Sequence, residues 1–132
     1  MDKIYYELLE QAKEASKKAY AKYSNFFVGA CALFESGEKF CGCNIENASY
    51  GLTICAERVA ISNAIANGEK SAIKAIAIYS PNQKLCFPCG ACRQWLSEFA
   101  TNDDIKIILE DENDIKVQTL KELFPCGFKL ND

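Results

Sequence analysis

Apolar residues recur at helical spacing over the first 22 positions. Ile4, Leu8, Ala12, Ala15 and Ala19 mark one face, with Lys3, Glu7, Lys13, Glu14 and Lys17 largely opposite, so a helix is expected over residues 2–22, ended by Tyr23-Ser24-Asn25. From Phe26 to Phe34 the period changes to two. Both alternating sets, Val28/Ala30/Ala32 and Phe27/Gly29/Cys31/Leu33, are small or apolar, which predicts a strand covered on both faces. A turn at Glu35-Ser36-Gly37-Glu38 leads back into a second strand, Lys39 to Cys43. Residues 44–52 follow neither period and are rich in amides, hydroxyls and a carboxylate: either a functional loop or a solvated connector. Cys55 to Asn67 reads as a helix closed by Asn67-Gly68, apolar nearly all round and therefore buried. Ile73 to Tyr79 and Ile105 to Leu109 are apolar strands flanking a helix from Gly90 to Ala100, whose inner face is expected to hold Ala91, Trp95, Leu96 and Phe99. A turn at Asp111–Asp114, a short strand at Ile115–Val117 and a capped helix opening at Thr119-Leu120-Lys121-Glu122 complete the chain. The order α-β-β-α-β-α-β-β-α predicts one α/β domain over residues 1–132: three layers, α/β/α, around a mixed five-stranded sheet.

Charge narrows the function. The chain of 132 residues carries 15 basic and 18 acidic residues, a net charge of −3, and no Lys/Arg cluster, which argues against binding a nucleic-acid polymer. No apolar run is long enough for a bilayer, and Met1-Asp2-Lys3 opens an amphipathic pattern rather than a signal peptide, so a cytoplasmic protein with no membrane partner is expected. Eight cysteines in such a chain favour metal binding or catalysis over disulfides. There is no histidine, so any metal takes sulfur or oxygen, and any proton-transfer group is a carboxylate, lysine, tyrosine or cysteine.

Two helix starts carry the chemistry. Cys89 and Cys92 flank Gly90-Ala91 at the start of one predicted helix, and Cys55 opens another. There, free N–H groups and the helix dipole favour thiolates. Three thiolates would hold one zinc with a position open for water. Arg58, and also Arg93, are candidates to donate hydrogen bonds to the sulfurs. Glu57 is two residues, or roughly 200°, along the helix from Cys55. It shares a pocket with the metal only because Cys55 stands at the very start, and it then serves as a proton shuttle; otherwise it merely complements the helix dipole. Cys86-x2-Cys89-x2-Cys92 also opens a ferredoxin-type motif, but Leu96 and Ser97 stand where that motif needs cysteine and proline. Cys31, Cys41 and Cys43 fall on strands and read as buried small hydrophobes.

Cys55-Ala56-Glu57-Arg58, followed some thirty residues on by Pro88-Cys89-Gly90-Ala91-Cys92-Arg93-Gln94, resembles the homotetrameric three-cysteine cytidine deaminases. The resemblance extends to Tyr23-Ser24-Asn25-Phe26, Val28-Gly29-Ala30, Gly42 to Ala48 and Leu123 to Phe128. It implies one zinc per subunit on Cys55, Cys89 and Cys92, with Glu57 moving protons. Asn44 and Glu46 would hold the ribose, Phe26 would pack by the pyrimidine, Ala56 would meet its edge through the backbone, and Tyr50 would line the pocket. Phe128 would enter a neighbouring subunit's site. The implied reaction is hydrolytic deamination of cytidine and 2′-deoxycytidine at C4, with release of ammonia. A structural zinc module, an iron–sulfur carrier and a deaminase for another aminated base are the competing classes. Phe27 stands where many relatives have proline, Cys126 where a small residue is usual, and Gly51-Leu52-Thr53 departs from common loops.

Overall fold

The structure, a computed structural model, describes residues 2–101 and 104–130. The elements run α1 (Lys3–Ser16), β1 (Gly29–Phe34), β2 (Lys39–Cys43), a short 3₁₀ turn (Tyr50–Leu52), α2 (Ala56–Ala66), β3 (Ile73–Tyr79), α3 (Gly90–Phe99), β4 (Lys106–Glu110), β5 (Ile115–Thr119) and α4 (Leu120–Leu123). The expected order holds, and the strands form one mixed five-stranded sheet in the order β2-β1-β3-β4-β5, with only β3 and β4 parallel. The expectation of a single domain over residues 1–132 reaches Met1, Asn102, Asp103, Asn131 and Asp132, which lie outside the described residues.

The period of two in β1 and β3 divides the interior into two cores. Ala30, Ala32, Phe34, Ile76 and Ile78 face α2 and α3, packing on Ala56, Ala60, Ile61, Ala64 and Leu96. Cys31, Leu33, Ala75 and Ala77 face the other way, onto Leu8 and Ala12 of α1. Apart from exposed Lys74 in β3, both faces of these central strands are therefore dry, as their nearly continuous apolar sequence requires. Two strand glycines set how close the helices lie. A Cβ on Gly29 would fall 1.9 Å from the Ala12 carbonyl oxygen, and one on Gly42 would fall 2.4 Å from the Ala60 nitrogen and 2.9 Å from the Ala56 oxygen. Gly42 thus seats the start of α2. Gly42→Ala is expected to overpack this contact, cost roughly 1–3 kcal/mol and lower the melting temperature; an unshifted melting curve would show that α2 is not held this closely.

Several boundaries differ from expectation. The first helix stops at Ser16 rather than residue 22, because Tyr20 leaves the helical path to pair with Asn44 and Glu46: Tyr20 N donates to Asn44 O at 3.0 Å and Glu46 N donates to Tyr20 O at 2.8 Å. The first strand begins at Gly29 rather than Phe26, since Phe26 O and Val28 N are bound by the Asn44 side chain. Helix α2 is not buried all round, for Ile65 is 47% exposed. In α3 the buried residues are Cys92, Leu96 and Ser97; Ala91 is exposed, and Trp95, expected inside, is 37% exposed and leans on the half-buried Phe99. No helix among the described residues is long and apolar enough to cross a membrane.

Candidate active site

Cys55 is the N-cap of α2 and Cys89 the N-cap of α3, both in extended backbone, while Cys92 is the third residue of α3. The two helix starts meet, and the sulfurs of Cys55, Cys89 and Cys92 lie within 4.8 Å of one another. Neither N-cap side chain is spent on capping its own helix, so both sulfurs remain available as ligands. Arg58 Nη2 donates to Cys55 Sγ at 3.3 Å. Hydrogen bonds from Cys92, and then from the Arg58 guanidinium, hold the Cys55 thiol down to about 5, while Cys92, which keeps the shared proton, is pushed well up. A cluster that already supports a thiolate, with three sulfurs converging and a cation beside one of them, fits zinc with a fourth position left for water. Arg93 does not join it. Its Nε donates to Pro88 O and its Nη1 to Leu123 O, both at 2.7 Å, so it ties the α3 start to the C-terminal segment instead.

Glu57, the second residue of α2, is buried at 4% exposure. Burial raises its carboxyl to about 7, with the Cys55 charge adding to the rise, while its own backbone N–H and the neighbouring Cys92 oppose it. The interaction with Cys92 brings this carboxyl to the cysteine cluster, against the alternative of a solvated helix-start charge. Cys86 stands outside the three-sulfur group; burial, then the Glu57 and Cys55 charges, push its thiol up to about 11.

The loop before α2 is laced to it. Ile45 and Ile54 exchange backbone hydrogen bonds at 2.9 and 3.0 Å, which sets Asn44 and Glu46 alongside the approach to Cys55. Asn44 is buried, accepting from Val28 N at 2.9 Å and donating to Phe26 O at 2.8 Å. Glu46 Oε1 accepts from Tyr23 N at 3.0 Å and Ser24 N at 3.1 Å, and Oε2 accepts from the Ser24 hydroxyl. The Ser24 hydroxyl, followed by the two backbone donors, holds the Glu46 carboxyl below its usual range. A pocket of about 340 Å³ opens here between Tyr23, Ser24, Glu46, Tyr50 and Thr53. A larger cavity of about 520 Å³, lined by Ile4, Tyr5, Leu33, Ile73, Lys74 and Lys106 among others, contains none of the expected site residues.

Phe26 is half-buried against the main core, and Ala56 is fully buried. Tyr50, on the 3₁₀ turn, is 75% exposed and meets Tyr23 edge-to-face with ring centroids 6.0 Å apart. The Phe128 backbone is clasped by Gln94, whose Nε2 donates to Phe128 O at 2.8 Å and whose Oε1 accepts from Phe128 N at 3.3 Å, yet its ring stands 67% exposed. Sequence reasoning missed Gln94, although it lies within the quoted motif. It also missed Asn82, whose Oδ1 accepts from Phe27 N at 2.9 Å. Proline at position 27 could not make that bond. Cys126 adopts a left-handed backbone with φ 59°, a position that glycine fills with less strain.

Comparison with known proteins agrees with this arrangement. Residues 3–108 match the family model described as cytidine and deoxycytidylate deaminase zinc-binding region. A cytidine deaminase of Halalkalibacterium halodurans is 41% identical over 125 residues, 95% of this chain and 94% of that one; one of Sporosarcina psychrophila is 39% identical over 126 residues, 96% and 92%. The 1.6 Å crystal structure of cytidine deaminase from Burkholderia pseudomallei superposes with a TM-score of 0.86 at 41% identity, covering 97% of this chain and all of that one. That of Mycobacterium tuberculosis gives 0.85 at 36% identity, over 98% and 100%. With the three-sulfur cluster, the fold and the matches in agreement, the chain belongs to the zinc-dependent cytidine and deoxycytidylate deaminase family.

Proposed function

We propose that this site deaminates cytidine and 2′-deoxycytidine to uridine and 2′-deoxyuridine. The observation that carries the reading is the buried Glu57 carboxyl beside three converging sulfurs. Cys55, Cys89 and Cys92 would hold zinc, which when bound would supply the Lewis acidity that activates water near neutral pH. Glu57 takes a proton from the attacking water as its oxygen bonds to C4 and passes it to N3; it then takes the second proton from the new C4 hydroxyl and delivers it to the amine, whose bond to C4 breaks as ammonia leaves. A carboxyl raised to about 7 by burial suits both directions of transfer.

Asn44 and Glu46 are suited to the ribose by what their existing bonds leave over. Asn44 Nδ2 has a second N–H, and Glu46 Oε2 retains accepting capacity beyond the Ser24 hydroxyl. One donor and one acceptor side by side match a sugar hydroxyl. Phe26 packs by the pyrimidine, the Ala56 backbone meets its edge, and Tyr50 closes the sugar side. Eight unpaired cysteines suit a reducing cytoplasm.

The assembly completing the site is a homotetramer in which Phe128 enters a neighbour's pocket. Exposed Tyr50, Leu52, Ile54, Phe128 and Leu130 give this apolar surface a reason to be covered. Ultraviolet monitoring of purified protein tests the function: cytidine is consumed, whereas free cytosine, lacking the sugar, is a poor substrate. Glu46→Ala is expected to lower kcat/KM for cytidine severalfold or more at unchanged zinc content. Equal use of cytosine and cytidine, or an unaffected Glu46→Ala protein, would overturn the ribose assignment.

A further inference from the structure

We propose that Cys31 and Cys41 form a second sulfur site, a dithiol that reacts with low-molecular-weight disulfides and closes into a cross-strand disulfide. The two residues face each other directly in the β1–β2 ladder. Backbone bonds from Phe34 N to Glu38 O and from Asn44 N to Val28 O frame the ladder, so Val28/Asn44, Ala30/Gly42, Ala32/Phe40 and Phe34/Glu38 are its hydrogen-bonded pairs. Cys31/Cys41 falls between them, at a position where facing Cα atoms approach to about 4.5 Å. Disulfides span Cα separations of about 4.4–6.8 Å. Both side chains lie on the α1 face, away from the zinc cluster of α2 and α3.

The two sulfurs have different roles. Cys31 is buried, and its thiol donates to Gln11 Oε1 at 3.3 Å. Cys41 is half-buried on edge strand β2, at a surface pocket shared with Gln11, Ala15 and Lys18. The facing Cys31, with Lys18 and Lys39 nearby, lowers the Cys41 thiol, while Cys31 is raised by the neighbouring Cys41 and by burial. Cys43, on the same face, is raised by burial and faces Gly29 in the ladder, which offers no sulfur. Cys41 is therefore the attacking thiolate and Cys31 the resolving thiol. In the first step Cys41 Sγ bonds to one sulfur of the reagent, its S–S bond breaks, and one thiolate leaves. Cys31 Sγ then bonds to Cys41 Sγ, the mixed disulfide breaks, and the second thiolate leaves. The protein gives up two electrons and two protons, and the reagent departs as two thiols.

The test uses zinc-loaded, full-length protein and oxidised glutathione, followed by intact mass and peptide mapping. Trypsin cuts after Lys39, separating Cys31 from Cys41, so a bridge joins two peptides. Wild type should lose two hydrogens, carry a Cys31–Cys41 bridge and keep its zinc. Cys31→Ser should accumulate a stable glutathione adduct on Cys41, and Cys41→Ser should form neither product at Cys31. A stable adduct on wild-type Cys41, a bridge through Cys43, or reaction confined to Cys126 and the zinc-site cysteines would overturn the proposal.

Discussion

Glu57→Gln protein should retain its fold and zinc while turning over cytidine about 10²–10⁴-fold more slowly, the usual worth of a positioned acid/base group. Glutamine keeps the side chain's length and hydrogen-bonding shape at the start of α2 but cannot accept the water's proton. Stability is not expected to fall. In metal-free protein, burial raises the Glu57 carboxyl to about 7, above its unfolded value, so stability falls as pH rises from the ordinary carboxyl range up to that value. The amide removes this cost, and the metal-free variant should melt no lower than metal-free wild type at neutral pH and above. Kinetics within a few-fold of wild type would reduce Glu57 to a buried helix-start residue. A variant that loses both zinc and activity would make its role structural.

The second large effect is expected at Cys89. This residue is exposed, so Cys89→Ala leaves no core cavity and removes little but a sulfur. Two of the three converging thiols remain, too few for a stable zinc site in water. After dialysis the variant should hold almost no zinc and show almost no deamination, with α3 intact by circular dichroism. Cys86→Ala is the matched control. Cys86 is three residues from Cys89 and senses the charges of Glu57 and Cys55, yet stands outside the cluster, so its loss should leave zinc content unchanged. Equal zinc loss in both variants would revive a site drawn from the Cys86-x2-Cys89-x2-Cys92 run.

What could be read in advance follows the range of the forces involved. The sulfur cluster was legible because helix-start chemistry is local: N-cap positions, short spacing and absent histidine all act within a few residues. Arg58 was legible for the same reason, one turn from Cys55. Arg93 was not, because one of its partners, Leu123 O, lies 30 residues away and outcompetes the sulfurs. The early end of α1 was hidden likewise: Lys17-Lys18-Ala19 suits a helix, but the backbone pairing of Tyr20 with Asn44 and Glu46 prevails. Trp95 at helical spacing looked like core. The α3 face that packs inward instead carries Cys92, Leu96 and Ser97, and the indole remains at the surface. Strand pattern disclosed the sheet well, since β1 and, apart from Lys74, β3 are dry on both faces. It could not disclose that Cys31 and Cys41 stand opposite each other, because register is set by the turn and the ladder together.

The three-cysteine zinc and Glu57 are expected to form one deamination site per chain. Stepwise return of zinc to chelated protein, with cytidine loss and ammonia release followed together, tests it most directly. Activity should rise in proportion to bound zinc, level off at one zinc per chain, and yield one ammonia per uridine. Deamination by zinc-free protein, or activity that keeps rising well beyond one zinc per chain, would contradict it.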